Sequence, residues 1–100
     1  MAKKVFISQP MRDKTEKEIL AKRNEAIKFA RVYFGKNVQI IDSYLPHAPN
    51  KTKPLWFLGN SLQLMSDVDA VIFVKGWEDY RGCRIEHTCA MEYGITICEL

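Results

Sequence analysis

The sequence lacks the features that mark several large classes of proteins. No apolar run approaches the roughly 20 residues that a membrane-spanning helix needs. No secretory signal is recognisable at the start, where only five residues separate Lys4 from Pro10. The net charge is only +3 and no run of five or more basic residues occurs, so a nucleic-acid polymer is not indicated as a partner. We therefore expect a cytoplasmic protein that binds neither a membrane nor a nucleic acid.

Cysteine is scarce, and its number is odd. The chain has 3 cysteines, which predicts reduced thiols rather than a disulfide framework. Cys83 and His87 share one helix face, but Cys89 points away from it, so we expect no metal site. No G-x-G-x-x-G or Walker pattern is present, so neither a dinucleotide nor a nucleoside triphosphate is supported, and we expect no cofactor.

The length of 100 residues predicts one domain that covers residues 1–100. Apolar runs and helical patterns alternate along it. The runs predict strands at residues 5–7, 38–42, 68–74 and 95–98. Helices are predicted at about residues 15–34, from residue 54 onward, and from residue 81 or 82 to 93. Thr15 and Glu18 form a capping-box pattern, and Gly35 is the expected C-cap of the first helix.

The second helix has a predicted buried stripe and two large aromatic residues beside it. The stripe consists of Leu55, Leu58, Leu62 and Met65. Trp56 and Phe57 fall partly off it, and two interpretations fit them: they cover a sheet edge, or they form a partner surface, most simply in a homodimer or higher homo-oligomer. Residues 43–53, with Pro46 and Pro49, predict a long loop that acts as a lid.

The order of these elements predicts an α/β fold with a three-layer, doubly wound parallel sheet of the flavodoxin-like or Rossmann-like kind. Right-handed crossovers give the strand order 2-1-3-4. A ligand is then expected outside the carboxyl ends of strands 1 and 3, where the order reverses. Two polar loops, residues 8–12 and 75–81, converge at that place.

Two carboxylates near these loops are candidates for chemistry. Glu86 lies about one turn into the third helix, where the peptide dipoles favour its ionised form, and it is a candidate nucleophile or general base. Asp79 lies in the loop before that helix and is a candidate second carboxylate for glycosyl transfer. The alternatives are a surface glutamate near a helix start and an aspartate that caps a helix or turn.

The other candidates are binding residues. Arg12 and Arg81 suit an anionic group such as a phosphate, and Ser8 suits a hydrogen bond to a ligand. Trp77 is placed to stack on a flat ring. Each has an ordinary alternative: the arginines as solvated surface residues, and Trp77 as an anchor for its own loop.

Three segments of the chain resemble the nucleoside 2-deoxyribosyltransferase-like superfamily, and the resemblance covers nearly the whole chain. Val5-Phe6-Ile7-Ser8-Gln9-Pro10-Met11 is similar to its opening "Y-I-S-G-P-M" motif. Residues 67–72, in which acidic residues lead into a valine-rich run, look like its third strand. Residues 82–86, followed by Ala90 and Gly94, resemble its "G-x-x-x-E-x-G-x-A-x-x-x-G" helix. The chain departs from the pattern at Gln9 and Thr88, where glycine is usual, and it lacks a fifth strand. It looks closest to a small, functionally uncharacterised branch found in bacteria and phages.

The resemblance implies specific roles. Glu86 matches the nucleophile that attacks the anomeric carbon of a 2-deoxyribonucleoside and forms a covalent sugar–enzyme intermediate. Asp79 lies near the position of an acidic residue that handles the base, and Arg12 falls where relatives acting on 5′-monophosphates carry an arginine. The resemblance also implies a dimer or larger assembly in which a neighbour completes the site. The full set of expected substrate-binding residues is Ser8, Gln9, Pro10, Met11, Arg12, Trp77, Arg81 and Gly82.

These observations predict an enzyme that cleaves or transfers the N-glycosidic bond of a small nucleoside or nucleotide. Two other classes remain open. One is a non-catalytic nucleotide-binding or sensor domain on the same fold. The other is a protein-interaction module that uses Trp56 and Trp77.

Overall fold

The structure is a computed structural model that describes residues 2–41 and 53–100. Within that part of the chain, strands and helices alternate from end to end. The strands are β1 (Lys4–Ser8), β2 (Gln39–Ile41), β3 (Ala70–Phe73) and β4 (Thr96–Glu99). The helices are α1 (Glu16–Phe34), α2 (Pro54–Met65) and α3 (Arg81–Glu92), and a short 3₁₀ turn covers Trp77–Asp79. The predicted loop at residues 43–53 and the end of the predicted second strand, Asp42, fall outside the described residues except for Lys53.

The four described strands form one parallel sheet in the order β2-β1-β3-β4, which confirms the predicted fold and strand order. Strand β1 pairs with β3 from Val5 opposite Ala70 to Ser8 opposite Phe73. Residues 5–8 and 70–73 are all buried, as expected for central strands that are covered on both faces.

Alternation along β1 divides the core into two layers. Val5 and Ile7 pack on one face with Ala26 and Ala30 of α1. Phe6 packs on the other face with Met65 of α2 and Ala90 of α3. Since successive side chains of a strand point to opposite faces, Ser8 lies on the α2 and α3 side of the sheet. The next residue, Gln9, bonds to α1 through its side chain.

The predicted boundaries of α1 are confirmed, and Thr15 is its N-cap. The Glu18 backbone N–H donates to Thr15 Oγ1 at 3.1 Å, and the Thr15 hydroxyl donates to Glu18 Oε1 at 3.2 Å. Gly35 ends the helix with a φ of 106°. Arg23 is buried together with Ile19, Ala26 and Ala30 of the same helix, whereas Leu20 is 40% exposed.

Of the predicted α2 stripe only Met65 is fully buried, and Leu58 and Leu62 are half-buried. Leu55 is 76% exposed, while Met65 is buried and Leu62 packs against the core. Leu55 lies in the first turn of the helix, whereas Leu62 and Met65 lie in its later turns. Trp56 stands beside Leu55, is 51% exposed, and contacts Phe57 edge to face. No helix in the described ranges combines the length and the apolar character needed to cross a membrane.

The loop after β3 turns at Gly76, which has φ 94° and ψ 0°. This left-handed conformation is unfavourable for a residue with a Cβ, although the space around Gly76 is open. Gly59, in the interior of α2, also has open space around it but no positive φ.

These two glycines give a matched pair of substitutions. We expect Gly76→Ala to lower the free energy of unfolding by about 1 kcal/mol, because alanine is strained at positive φ. Gly59→Ala is expected to raise it by about 0.5–1 kcal/mol, because alanine favours the helix. Urea unfolding of both variants measures the difference. Equal effects of the same sign would contradict the conformational explanation.

Candidate functional site

The candidate site lies at the carboxyl end of β1, and it has two sides. Ser8 ends the strand and faces α2 and α3, whereas Gln9 follows it and faces α1. The Val74 backbone N–H donates to the Ser8 carbonyl at 3.0 Å, which joins the first residues beyond β3 to the end of β1. The two polar loops that follow these strands therefore begin side by side, at the position where open α/β sheets bind ligands.

Glu86 lies on the α2 and α3 side, in direct contact with β1. The Ser8 hydroxyl donates a hydrogen bond to Glu86 Oε1 at 2.6 Å, although the two residues are 78 positions apart in the chain. Glu86 is only 7% exposed. Helix α3 thus places this carboxylate at the end of the central strand. Glu86 is therefore not the exposed surface glutamate of the alternative interpretation.

Burial raises the pKa of the Glu86 carboxyl above its ordinary value of 4.5, because the charged form loses hydration. Hydrogen bonds from Ser8 and Ser61 act in the opposite direction but do not cancel this effect. The sequence suggested that the helix dipole would favour the ionised form. Glu86 is instead the sixth residue of α3, beyond the first turn in which that dipole acts most strongly, so burial dominates.

A buried thiol borders the same carboxylate. Cys83 lies one turn before Glu86 and bonds to Ser8. Burial raises the pKa of the Cys83 thiol to about 11, and the nearby charge of Glu86 adds to that increase. The thiol is therefore protonated and unreactive at neutral pH. In the described residues, no three His, Cys, Asp or Glu side chains are grouped as metal ligands.

Trp77 is packed against its neighbours in the fold. Its ring is stacked on His87 of α3, with centroids 4.1 Å apart and planes 9° apart. It also contacts Phe73 at 5.4 Å. His87 Nε2 lies 3.7 Å from Glu99 Oε2 of β4. These contacts favour the interpretation of Trp77 as the anchor that holds the loop after β3 against α3.

Asp79 lies on the other side of the strand end. It lines a crevice between α1 and the loop after β3, together with Gln9, Pro10 and Tyr80, and Glu86 does not line that crevice. The structure thus assigns the two candidate carboxylates to different surroundings. The remaining predicted residues lie at the rims of the loops: Met11 is half-buried, while Arg12, Arg81 and Gly82 are exposed.

Sequence reasoning missed Ser61, which bonds to Glu86 from α2. Ser61 precedes Leu62 in a helix for which the sequence analysis considered only the apolar stripe and the aromatic residues. A single serine in such a helix does not by itself indicate a function. Lys14, Lys22 and Lys75, which line the crevice, were missed as well. Lys75 belongs to the polar loop of residues 75–81 that is expected at the site, but the sequence does not single out its side chain, and nothing in the sequence links Lys14 or Lys22 to that loop.

No protein-family model matches the chain, and neither a curated protein nor a solved structure matches it.

The raised pKa of Glu86 has a measurable consequence for stability. The folded protein binds the Glu86 proton more firmly than the unfolded chain does. At a pH below the Glu86 pKa of the unfolded chain, this difference stabilises the folded protein fully. The stabilisation is lost as the pH rises through the Glu86 pKa of the folded protein. Glu86→Gln keeps the shape and the acceptor for Ser8 but cannot ionise. We expect it to match the wild type at about pH 4 and to exceed its stability at about pH 8, by about 1.4 kcal/mol for each unit of pKa elevation.

Denaturant unfolding at the two pH values measures this difference. Glu92→Gln, at an exposed position of the same helix, controls for the substitution itself. A stability difference between Glu86→Gln and the wild type that is independent of pH would contradict the assignment.

Proposed function

We propose that the protein cleaves the N-glycosidic bond of a 2-deoxyribonucleoside or its 5′-monophosphate, with Glu86 as the nucleophile. The observation that carries the proposal is the buried Glu86 carboxylate, held by the Ser8 hydroxyl at 2.6 Å at the end of the central strand. Resemblance of residues 82–86 to the nucleophile helix of the deoxyribosyltransferase-like superfamily gives the same residue the same role.

The chemistry requires one oxygen of Glu86 to attack the anomeric carbon of the sugar. A carbon–oxygen bond forms, the carbon–nitrogen bond breaks, and its electron pair leaves with the base, which takes up a proton. Water or a second base then attacks the same carbon and releases the carboxylate. Ser8 and Ser61 are positioning residues in this scheme, since both hydrogen-bond Glu86 and thereby fix its orientation.

The raised pKa of Glu86 suits this role in a specific way. A desolvated carboxylate is a stronger nucleophile than a hydrated one, and its negative charge stabilises the positive charge that develops on the sugar. Only the ionised form attacks, so the reaction requires a pH above the raised pKa. We place the reaction in the cytoplasm, where the three free thiols Cys83, Cys89 and Cys98 stay reduced.

The first test is incubation with a panel of deoxynucleosides and deoxynucleotides, scored for free base. We expect Glu86→Gln to lower the rate of base release by about a thousandfold or more, because no covalent intermediate can form. Glu92→Gln is the matched control and is expected to keep the wild-type rate. Mass spectrometry of acid-quenched wild-type protein should show a deoxyribosyl adduct on the peptide that contains Glu86.

Two results would overturn the proposal. Equal base release by wild type and Glu86→Gln would remove Glu86 from its role. Nucleotide binding without any base release would favour the rival candidate, a non-catalytic sensor domain.

A second test concerns the phosphate of a 5′-monophosphate. Arg12 lies in the loop after β1 and its side chain is exposed to solvent. We expect Arg12→Ala to weaken the use of monophosphates by about tenfold while nucleosides are unaffected, because one charge-assisted hydrogen bond is lost. The ratio of kcat/KM for the two substrate types measures this effect, and Arg31→Ala, at the far end of α1, is the control. An unchanged ratio would discard the role of Arg12.

A further inference from the structure

The loop after β3 is held against α3 by a polar contact and by an aromatic contact. Arg84 Nη1 donates to the Glu78 carbonyl at 2.9 Å. Trp77 stacks on His87 with ring centroids 4.1 Å apart. The polar contact uses a guanidinium, which keeps its charge at any ordinary pH. The aromatic contact uses an imidazole, the side chain whose charge ordinarily changes between about pH 5 and 8. Only the aromatic contact is therefore sensitive to pH in that range.

Three elements pack around the His87 ring. Trp77 of the 3₁₀ turn covers one of its faces, and Phe73 of β3 contacts it edge to face at 4.8 Å. Glu99 of β4 lies beside its ring nitrogen, with Oε2 3.7 Å from Nε2. The His87 side chain is 15% exposed, and its Nε2 is buried without a hydrogen-bond partner in the described part of the chain.

The neutral imidazole leaves this nitrogen unmatched. In one tautomer Nε2 carries no proton, and it then faces a carboxylate oxygen that also only accepts. In the other tautomer Nε2 carries the proton, but 3.7 Å is too long for a hydrogen bond. In both tautomers, neutral His87 has no hydrogen bond to Glu99 in this arrangement.

Protonation of His87 changes both contacts in the same direction. Nε2 becomes a charged donor, and charge-assisted bonds to carboxylates have lengths of about 2.8 Å. The Glu99 side chain is 54% exposed, so it is able to move the remaining distance of roughly 1 Å. The imidazolium also lies within the range of about 6 Å at which a cation is attracted to an indole face. Partial burial of the ring opposes its charging, whereas the carboxylate and the indole favour it.

The elements near His87 carry few other charges. Strand β3 and helix α2 have no charged residue, and Glu99 is the only one in β4. Residues 78–79 of the 3₁₀ turn are acidic, but both are exposed, where water and salt screen them. On α3, the charged residues within one turn are Arg84, which bonds to the loop, and Glu86, which is buried. Glu99 is therefore the carboxylate best placed to pair with His87.

We infer that Glu99, His87 and Trp77 form a pH-sensitive contact, which fastens the loop after β3 to α3 more firmly in acid than in alkali. When His87 is protonated, the carboxylate, the imidazolium and the indole are joined in a row. When His87 loses its proton, the bond to Glu99 is lost and only the stacking remains. The inference does not depend on the proposed function, because it uses neither Glu86 nor a substrate.

The test measures how readily Trp77 is released from His87. In a Trp56→Phe background, Trp77 is the only tryptophan of the chain. Lifetime-resolved quenching by acrylamide gives the bimolecular rate constant at which the quencher reaches the indole, and this constant is corrected for any effect of the imidazolium on the lifetime. We expect it to rise about threefold or more from about pH 5.5 to about pH 8.5, because the cation–π attraction and the bond to Glu99 are both lost.

Five variants locate the source of the pH effect. His87→Gln should abolish it, and Glu99→Gln should reduce it by roughly half, since the indole contact remains. Glu92→Gln, at another exposed carboxylate, is the matched control and should keep the whole effect. Glu86→Gln should keep it too, which excludes the neighbouring carboxylate as its source. Arg84→Met should raise the rate constant by the same factor at both pH values, because it removes the pH-independent contact of the loop.

A rate constant that is equal at the two pH values in the folded protein would overturn the inference. A pH effect of full size in Glu99→Gln would overturn it as well, and this result is informative even if His87→Gln does not fold. Equal loss of the effect in Glu92→Gln and Glu99→Gln would also contradict it, since net charge rather than the position of Glu99 would then be the cause.

Discussion

The pairing of β1 with β3 is the constraint on which both sides of the candidate site depend. Residues 5–8 and 70–73 of these strands are buried, and the register ends with Ser8 opposite Phe73. The backbone bond from Val74 to Ser8 continues the pairing into the loops. Any shift of this register by one residue would exchange the two faces of the strand, and Ser8 would then leave Glu86 while Gln9 would leave α1. Apolar packing therefore sets the positions of the polar groups, because Val5, Ile7 and Phe6 fit only one register.

Burial of the Glu86 carboxylate lowers the stability of the folded protein, because the charged group loses its hydration. A carboxyl group removed from water is stabilised in its neutral form, and hydrogen bonds from Ser8 and Ser61 recover only part of the lost hydration. A fold under selection for stability alone has little reason to place glutamate at this position, where an apolar residue or glutamine would avoid the cost. Polar groups that are retained at such a cost are concentrated at functional sites, which connects the energetics of this residue to its proposed chemistry.

The loop after β3 shows how one element serves both sides of the strand end. Gly76 makes the turn, and Trp77 then fixes the loop by stacking on His87. Trp77 is held against α3, whereas Lys75, Asp79 and Tyr80 of the same loop line the crevice beside α1. Packing of one aromatic ring thus separates a site on the α2 and α3 side from a crevice on the α1 side.

The sequence by itself determined the order of the elements, the parallel sheet with its strand order, and the ends of α1, because periodicity, capping residues and crossover handedness are local or topological properties. It also indicated Glu86 and the loops in which a site would lie. It did not reveal Ser61, the lysines of the crevice, or the exposure of Leu55, since each depends on which side chains from distant segments meet. Only the tertiary structure decided that Glu86 bonds to Ser8 while Asp79 faces α1, and that burial rather than the helix dipole controls the pKa of Glu86. The physical reason is that hydration and hydrogen bonding of a side chain are set by its neighbours in space, which spacing along a chain does not specify.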